Sequence, residues 1–199
     1  DHPDKANVMA FIDAVNSLGY HCCYFGGIDR LIQLYQENIP IDHDNIYIIL
    51  GAGRSQPYMH LQAPVLCDLL ELNYSDSAPF TVALMRNKFF SKEAVKSMKY
   101  NVPDGILIDR YTDINKVISN VRQYPVIVKP NSEGSSVGIT DESVVFSPKD
   151  LLARVCELSE QFEEILVEQY IEGTDFTVLI FGNPTNYEMV EALVYKTGG

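Results

Sequence analysis

The chain has 199 residues, of which 46% are apolar, and a formal charge of −12 at pH 7. This apolar fraction is that of ordinary globular domains, so one or two small cores can form. The negative charge and the lack of a basic stripe argue against a nucleic-acid partner, because phosphate backbones are bound by clustered lysines and arginines.

Cysteine usage and hydropathy favour a cytoplasmic protein. Four cysteines without paired metal-site spacing favour reduced thiols: Cys22, Cys23, Cys67 and Cys156. The sequence has no apolar run of membrane length and no signal sequence, so we expect no membrane partner. The four histidines are scattered, and we interpret them as structural residues rather than metal ligands.

Residues 1–85 alternate between helix and strand patterns, which predicts an α/β domain with a parallel sheet covered by helices. The segments, in order, are a helix carrying Val8, Ile12, Val15 and Leu18, a strand over His21–Phe25, a helix over Ile28–Gln36 with Leu31, Ile32 and Tyr35 on one side, a buried strand over Asn45–Leu50, and a helix over His60–Leu72. Because such units normally begin with a strand, we expect one upstream of Asp1.

The glycine turn Gly51–Gly53 supports an alternative hypothesis, a dinucleotide site at the start of the following helix. The pattern is weak, because no third glycine stands at the required spacing and Pro57 interrupts the approach to the helix.

Residues 86–199 read as a second domain of α+β type. The predicted segments, in order, are helical sequence over Pro79–Tyr100, a turn over Asn101–Gly105, a strand over Ile106–Ile108, a helix over Thr112–Val121, a strand over Val126–Val128, a helix from Ser147 to about Glu160, and strands over Ile165–Ile171 and Phe176–Phe181. The change from βα repeats to a strand-rich pattern places the boundary near residue 86.

The most informative motif runs from Tyr124 to Thr140, YPVIVKPNSEGSSVGIT. A buried strand ends in Lys129, and Glu133–Gly138 then combines glycines, which permit close backbone approach, with serine donors. These groups suit phosphates beneath a hairpin lid. The lysine precedes the glycines, so the motif is not a P-loop. The alternative is an ordinary hairpin with an exposed lysine.

Two carboxylates, Glu168 and Asp175, lie within a predicted hairpin that is otherwise largely apolar. Burial of either without a partner is costly, so one interpretation leaves both exposed at strand edges. The functional interpretation uses them as acceptors for an adenine amino group and ribose hydroxyls, with Tyr170 and Ile171 as an apolar wall.

The segments VIVKP, EGSSVGI and VEQYIEGTDFTV resemble the ATP-grasp fold and, within it, the D-alanine–D-alanine ligase family, over residues 86–181. The resemblance implies a pre-ATP-grasp domain over 1–85 and part of an ATP-grasp domain over 86–199. It implies that ATP phosphorylates a carboxylate and that an amine attacks the acyl phosphate, with D-alanine as substrate, in cell-wall precursor synthesis.

The resemblance also implies site residues. Lys88 and Lys129 contact ATP phosphates, and Lys129 and Ser135 act in catalysis. The remaining nucleotide contacts are Glu133, Gly134 and Ser136 in the lid, the adenine linker of Glu168, Gln169, Tyr170 and Ile171, and Asp175 at the ribose, where the family more usually has glutamate.

Two departures limit what the resemblance implies. The ligands of Mg²⁺ are expected downstream of Gly199, so we expect this portion alone to be inactive. The atypical sequence over Gly51–Gln62 leaves open a ligase for another amino acid or peptide, and loss of the metal ligands would leave a non-catalytic nucleotide-binding module. A homodimer is the oligomer that the family suggests.

Overall fold

The computed structural model describes residues 4–51, 59–183 and 185–194. These residues form two compact units, one within Asp1–Asn101 and Asn131–Val137, the other within Val102–Pro130 and Gly138–Gly199. The domain boundary near residue 86 stays a prediction. No helix among the described residues is long and apolar enough to cross a membrane.

The first unit joins five helices to a short parallel strand pair. Its elements are α1 (Lys5–Ser17), α2 (Ile28–Gln36), β1 (Ile46–Tyr47), α3 (Met59–Leu69), β2 (Asn73–Tyr74), α4 (Pro79–Arg86) and α5 (Lys88–Ser97). Ile46 lies opposite Asn73 in the predicted parallel orientation. Leu31, Cys67 and Leu72 form the buried centre, so α2 and α3 pack together beside β2.

One strand prediction in this unit is wrong, and another is too long. Residues 20–27 are irregular backbone, and the side-chain amide of Asn16 takes the place of a strand neighbour: it accepts from the Cys22 N–H at 2.7 Å and donates to the Cys22 carbonyl at 3.0 Å. The strand predicted over Asn45–Leu50 shortens to β1, in which Ile46 is 68% exposed. A short ladder with one neighbour cannot bury a long apolar strand.

Helix α2 has the predicted bounds but turns a different side inward. Leu31 and Leu34 are buried, whereas Tyr35 is exposed. The spacing of three residues between the two leucines aligns them on one face of the helix, and Tyr35 lies outside that stripe.

The second unit contains a four-stranded sheet with two helices and a separate hairpin. Its elements are β3 (Gly105–Ile108), α6 (Ile114–Asn120), β4 (Val126–Pro130), β5 (Val144–Val145), α7 (Pro148–Ser159), β6 (Ile165–Gln169), β7 (Phe176–Asn183) and β8 (Asn186–Val194). The sheet has the order β3-β6-β4-β5 with antiparallel neighbours, and β7 pairs only with β8 among the described strands.

The two faces of this sheet differ in chemistry. Val128 and Val167 lie opposite each other and belong to the core that includes Leu151 and Val155 of α7. Because side chains alternate along a strand, the neighbouring residues Lys129 and Glu168 project from the other face. The sheet therefore presents a lysine and a carboxylate together on the face away from that core.

Helix α7 begins as the sequence predicts. The Ser147 hydroxyl accepts from the Asp150 N–H at 3.2 Å and donates to the Asp150 carboxylate at 2.6 Å, and Pro148 occupies a position where no intrahelical donor is needed. Leu151, Arg154, Val155 and Leu158 follow at helical spacing and are buried. The buried stripe of α7 therefore includes one arginine, Arg154.

A pH-dependent contribution to stability arises at the end of β2. The Tyr74 hydroxyl donates to Asp68 at 2.8 Å, and burial, together with this hydrogen bond, raises the pKa of Tyr74 to about 12. Because the unfolded pKa is about 10, the stabilisation is complete below pH 10 and is lost as pH rises through the folded pKa. We expect Tyr74→Phe to remove one tyrosinate transition near pH 12 from the absorbance titration at 295 nm.

The matched variant Asp68→Asn keeps the size of the partner and removes its charge. It is expected to lower the pKa of Tyr74, because a neutral amide no longer disfavours tyrosinate. The assignment is contradicted if the titration of Asp68→Asn is unchanged. It is also contradicted if Tyr74→Phe loses a transition near pH 10 instead of one near pH 12.

Candidate functional site

The glycine-serine loop, Glu133–Gly138, contains a tight turn, and its predicted role as a hairpin lid over phosphates stays a prediction. Ser135 and Ser136 both have positive φ, at 51° and 59°, and the Val137 N–H donates to the Gly134 carbonyl at 3.0 Å. Consecutive left-handed residues reverse the chain and cannot continue a strand ladder. The serine side chains are exposed, so their hydroxyls are accessible to a ligand.

In the first unit, Lys88 is hydrogen-bonded to the segment that leads into this loop. Its ammonium donates to the carbonyl of Asn131 at 3.2 Å and to the carbonyl of Glu133. Asn131 is completely buried, and its side-chain oxygen accepts from the Phe89 N–H at 2.9 Å. The start of α5, where Asn87 caps the Phe90 N–H, thus holds both the lysine and the loop entrance.

Arg86 adds a second cation beside the glycine-serine loop. A Cβ placed on Gly134 would lie 3.2 Å from a terminal nitrogen of Arg86, so glycine permits this close approach. Burial and then the charge of Arg86 lower the pKa of His60, while the opposing charge of Glu133 raises it. Two cations of this unit, Lys88 and Arg86, therefore lie beside the loop, together with the Glu133 carboxylate.

In the second unit, Lys129 forms an ion pair with Glu168 on the sheet face away from the α7 core. The side chains are 19% and 6% exposed, respectively. The interpretations that leave Glu168 at an exposed strand edge, or Lys129 exposed in an ordinary hairpin, are wrong. The carboxylate tolerates burial because the adjacent ammonium compensates its charge.

The predicted adenine linker follows directly from Glu168. Strand β6 ends at Gln169, whose N–H donates to the Asp104 carbonyl at 3.0 Å, and the Tyr170 N–H donates to the Pro125 carbonyl at 3.2 Å. Ile171 is 63% exposed, and Asp175 is also exposed. The segment after β6 therefore has an exposed apolar side chain, Ile171, and an exposed carboxylate, Asp175, and the adenine and ribose assignments stay predictions.

Arg154 is a site residue that the sequence prediction missed. It lies on α7 and donates to the carbonyl of Gly138, the last residue of the glycine-serine loop, at 2.9 Å. The sequence does contain an indication of its burial, because residue 154 falls on the same helical stripe as Leu151, Val155 and Leu158. A charged residue on a buried stripe requires a specific partner.

The described residues do not hold a metal site. No group of three or more His, Cys, Asp or Glu side chains among them is placed to bind a metal ion. Glu168, the buried carboxylate of this region, is engaged by Lys129. The expectation that Mg²⁺ ligands follow Gly199 stays a prediction. The Gly51–Gly53 alternative extends into residues 52–58, which lie outside the described part of the chain.

Similarity to known proteins covers both units. Residues 101–197 match the family described as D-ala D-ala ligase C-terminus. The D-alanine–D-alanine ligase of Aquifex aeolicus is 34% identical over 169 residues, which are 85% of this chain and 54% of that protein. The corresponding enzyme of Halalkalibacterium halodurans is 31% identical over 157 residues, which are 79% of this chain and 50% of that protein.

A solved structure gives the same picture at the level of the fold. The D-alanine–D-alanine ligase from Bacillus anthracis complexed with ATP superposes with a TM-score of 0.57 at 19% identity, over 84% of this chain and 57% of that one. This likeness confirms the predicted fold class. The chain spans about half the length of the curated relatives it matches.

Proposed function

We propose that this chain, which belongs to the D-alanine–D-alanine ligase family within the ATP-grasp fold, is the nucleotide-binding portion of an ATP-dependent carboxylate–amine ligase. D-alanine is the proposed substrate, as the names of the curated relatives state for those proteins. The full-length protein is the proposed catalyst, and synthesis of cell-wall precursors the proposed process.

The observation that carries this proposal is the ion pair between Lys129 and the buried Glu168. Lys129 lies near the end of β4, the strand that leads into the glycine-serine loop. An ammonium held in place by a buried carboxylate is pre-oriented, so it loses little side-chain entropy when it meets an anion. Ser135 and Ser136 both have positive φ and are exposed, so their hydroxyls are accessible to a ligand. Each of these donors suits a phosphate group.

The remaining roles follow from position in each unit. Lys88 is proposed as a further phosphate contact, with Glu133 and Gly134 shaping the loop. Glu168, Gln169, Tyr170 and Ile171 are proposed to line the adenine site, with Asp175 at the ribose. Bound ATP supplies the phosphoryl group that activates the substrate carboxylate, and Lys129 and Ser135 bind and orient that group by charge and hydrogen bonding.

Other features of the protein are proposals that rest on family membership. They are Mg²⁺ bound by residues downstream of Gly199, a cytoplasmic location, a homodimer, and a division into domains 1–85 and 86–199.

Calorimetric titration of the full-length protein with ADP and Mg²⁺ tests the nucleotide site. We expect saturable binding, followed by phosphate release when ATP and D-alanine are supplied together. Absence of binding by both ADP and ATP contradicts the nucleotide site. Activity confined to L-amino acids in a panel of D- and L-substrates would instead retain the ligase and reject D-alanine.

A further inference from the structure

Arg154 is a buried cation that contacts the last residue of the glycine-serine loop and the segment that follows the loop. It is 6% exposed. One guanidinium nitrogen donates to the Gly138 carbonyl at 2.9 Å and to the Ser143 hydroxyl at 3.0 Å, and the other terminal nitrogen binds Glu157 at 2.8 Å. Glu157 is 61% exposed, so its ion pair with Arg154 lies towards solvent. The more buried partners of the guanidinium are the Gly138 carbonyl and the Ser143 hydroxyl.

The segment that Arg154 contacts is already confined. Gly138 has φ +74°, and a Cβ there would lie 2.6 Å from Cγ of Pro130 and 3.1 Å from Phe162. Ser143 is completely buried, and its hydroxyl also accepts from the Thr140 N–H at 2.9 Å. The arginine thus joins two points of the chain, Gly138 and Ser143, across the return from the loop to β5.

Packing of α7 alone does not explain an arginine at this position. Its Nε is buried without a hydrogen-bond partner in the described part of the chain, so the desolvation of the guanidinium is incompletely offset. An apolar side chain would fill the stripe of Leu151, Val155 and Leu158 without that cost. Besides an ion pair with the exposed Glu157, only the arginine supplies the two hydrogen bonds to Gly138 and Ser143.

We infer that Arg154 is a positioning residue that fixes the exit of the glycine-serine loop in the geometry that binds nucleotide. This inference rests on the proposed function. With the Gly138 carbonyl held, fewer loop conformations compete with the binding-competent one. Loss of the anchor lowers the population of that conformation, and apparent nucleotide affinity falls in proportion.

The experiment compares Arg154→Met, Arg154→Lys and the control Glu157→Gln in the full-length protein. Arg154→Met keeps the apolar stem and removes the donors, so we expect ADP affinity in the presence of Mg²⁺ to fall roughly tenfold. Hydrogen exchange of peptides covering residues 134–140 should accelerate in the same variant. Lysine retains a charged donor and should restore part of both effects, while Glu157→Gln, which leaves both loop contacts in place, should match the unaltered protein.

Steady-state kinetics separate positioning from a general loss of structure. The KM for ATP should rise in Arg154→Met while the KM for the amino-acid substrate stays constant, at a temperature well below unfolding. If Arg154→Met does not fold, Ser143→Ala removes one anchored acceptor and should change affinity and exchange in the same direction. Affinity and exchange equal to those of the unaltered protein, in the folded variant tested, overturn the inference.

The two proposals fail in different ways. If the unaltered full-length protein binds neither ADP nor ATP, the proposed function is wrong and the positioning role falls with it. If the unaltered protein binds ADP and the Arg154 or Ser143 variant binds it equally well, only the positioning role is wrong.

Discussion

Lys129→Met in the full-length protein is expected to weaken MgATP binding by roughly ten- to hundredfold, because a hydrogen bond from a charged donor contributes about 1.5–3 kcal/mol. The same change removes the Lys129 ammonium from its buried ion pair with Glu168. Removing one member of a buried ion pair costs about 3–5 kcal/mol, so the free energy of unfolding should fall as well. Calorimetry with ATP and Mg²⁺ measures the first effect, and urea unfolding the second.

A double variant separates the two effects of Lys129. Lys129→Met with Glu168→Leu removes both charges of the ion pair and should recover much of the lost stability, because the desolvation cost of both charged groups is removed as well. Nucleotide affinity should stay low. Lys149→Met serves as the matched control at an exposed lysine of α7, where we expect no change in either measurement. Recovery of ATP binding in the double variant would assign Lys129 a structural role only.

Sequence patterns predicted the elements whose signals are local. Helix α7 combines a serine cap, a proline in the first turn and apolar residues at helical spacing within a dozen residues, so its start is determined by neighbours in the chain. The motif around Lys129 was equally local, since a β-branched strand ending in lysine and followed by glycines and serines can be read without knowledge of the fold.

The features that the patterns missed depend on distant partners. Strand β8 contains Glu188, Glu191 and Ala192, which favour helices, but its pairing with β7 overrides that preference. The segment His21–Phe25 has strand-like composition and instead uses the Asn16 amide as its neighbour. The burial of Glu168 was unpredictable from its own segment, because the compensating Lys129 comes from another strand.

The glycine-serine loop shows a further limit of sequence reasoning. Glycine and serine indicate a loop that can approach phosphates, yet they do not specify which residues take positive φ. In the structure Ser135, Ser136 and Gly138 have positive φ, and the loop forms a tight turn. The hydrogen bond from Arg154 to the Gly138 carbonyl could not be predicted. The sequence shows only a charged residue on an apolar helical stripe and does not indicate its partner.

Gly138→Ala is expected to lower the free energy of unfolding by about 2–4 kcal/mol, combining the cost of a left-handed non-glycine residue with that of overpacking. The new methyl group would lie 2.6 Å from Cγ and 3.0 Å from Cδ of Pro130, which are ring atoms that cannot rotate away. Urea unfolding followed by circular dichroism measures the loss. Nucleotide affinity should fall as well, because the loop exit must shift to relieve the contact.

Gly173→Ala is the matched control for this substitution. A Cβ at Gly173 meets no atom within 4 Å, so the alanine should be neutral or should stabilise the protein by up to about 0.4–1 kcal/mol through the entropy of the unfolded chain. Equal effects of the two alanines would contradict the view that Gly138 is fixed between Pro130 and Phe162. Since Arg154 holds the carbonyl of the same residue, a tolerated Gly138→Ala would also weaken the case for a fixed loop exit.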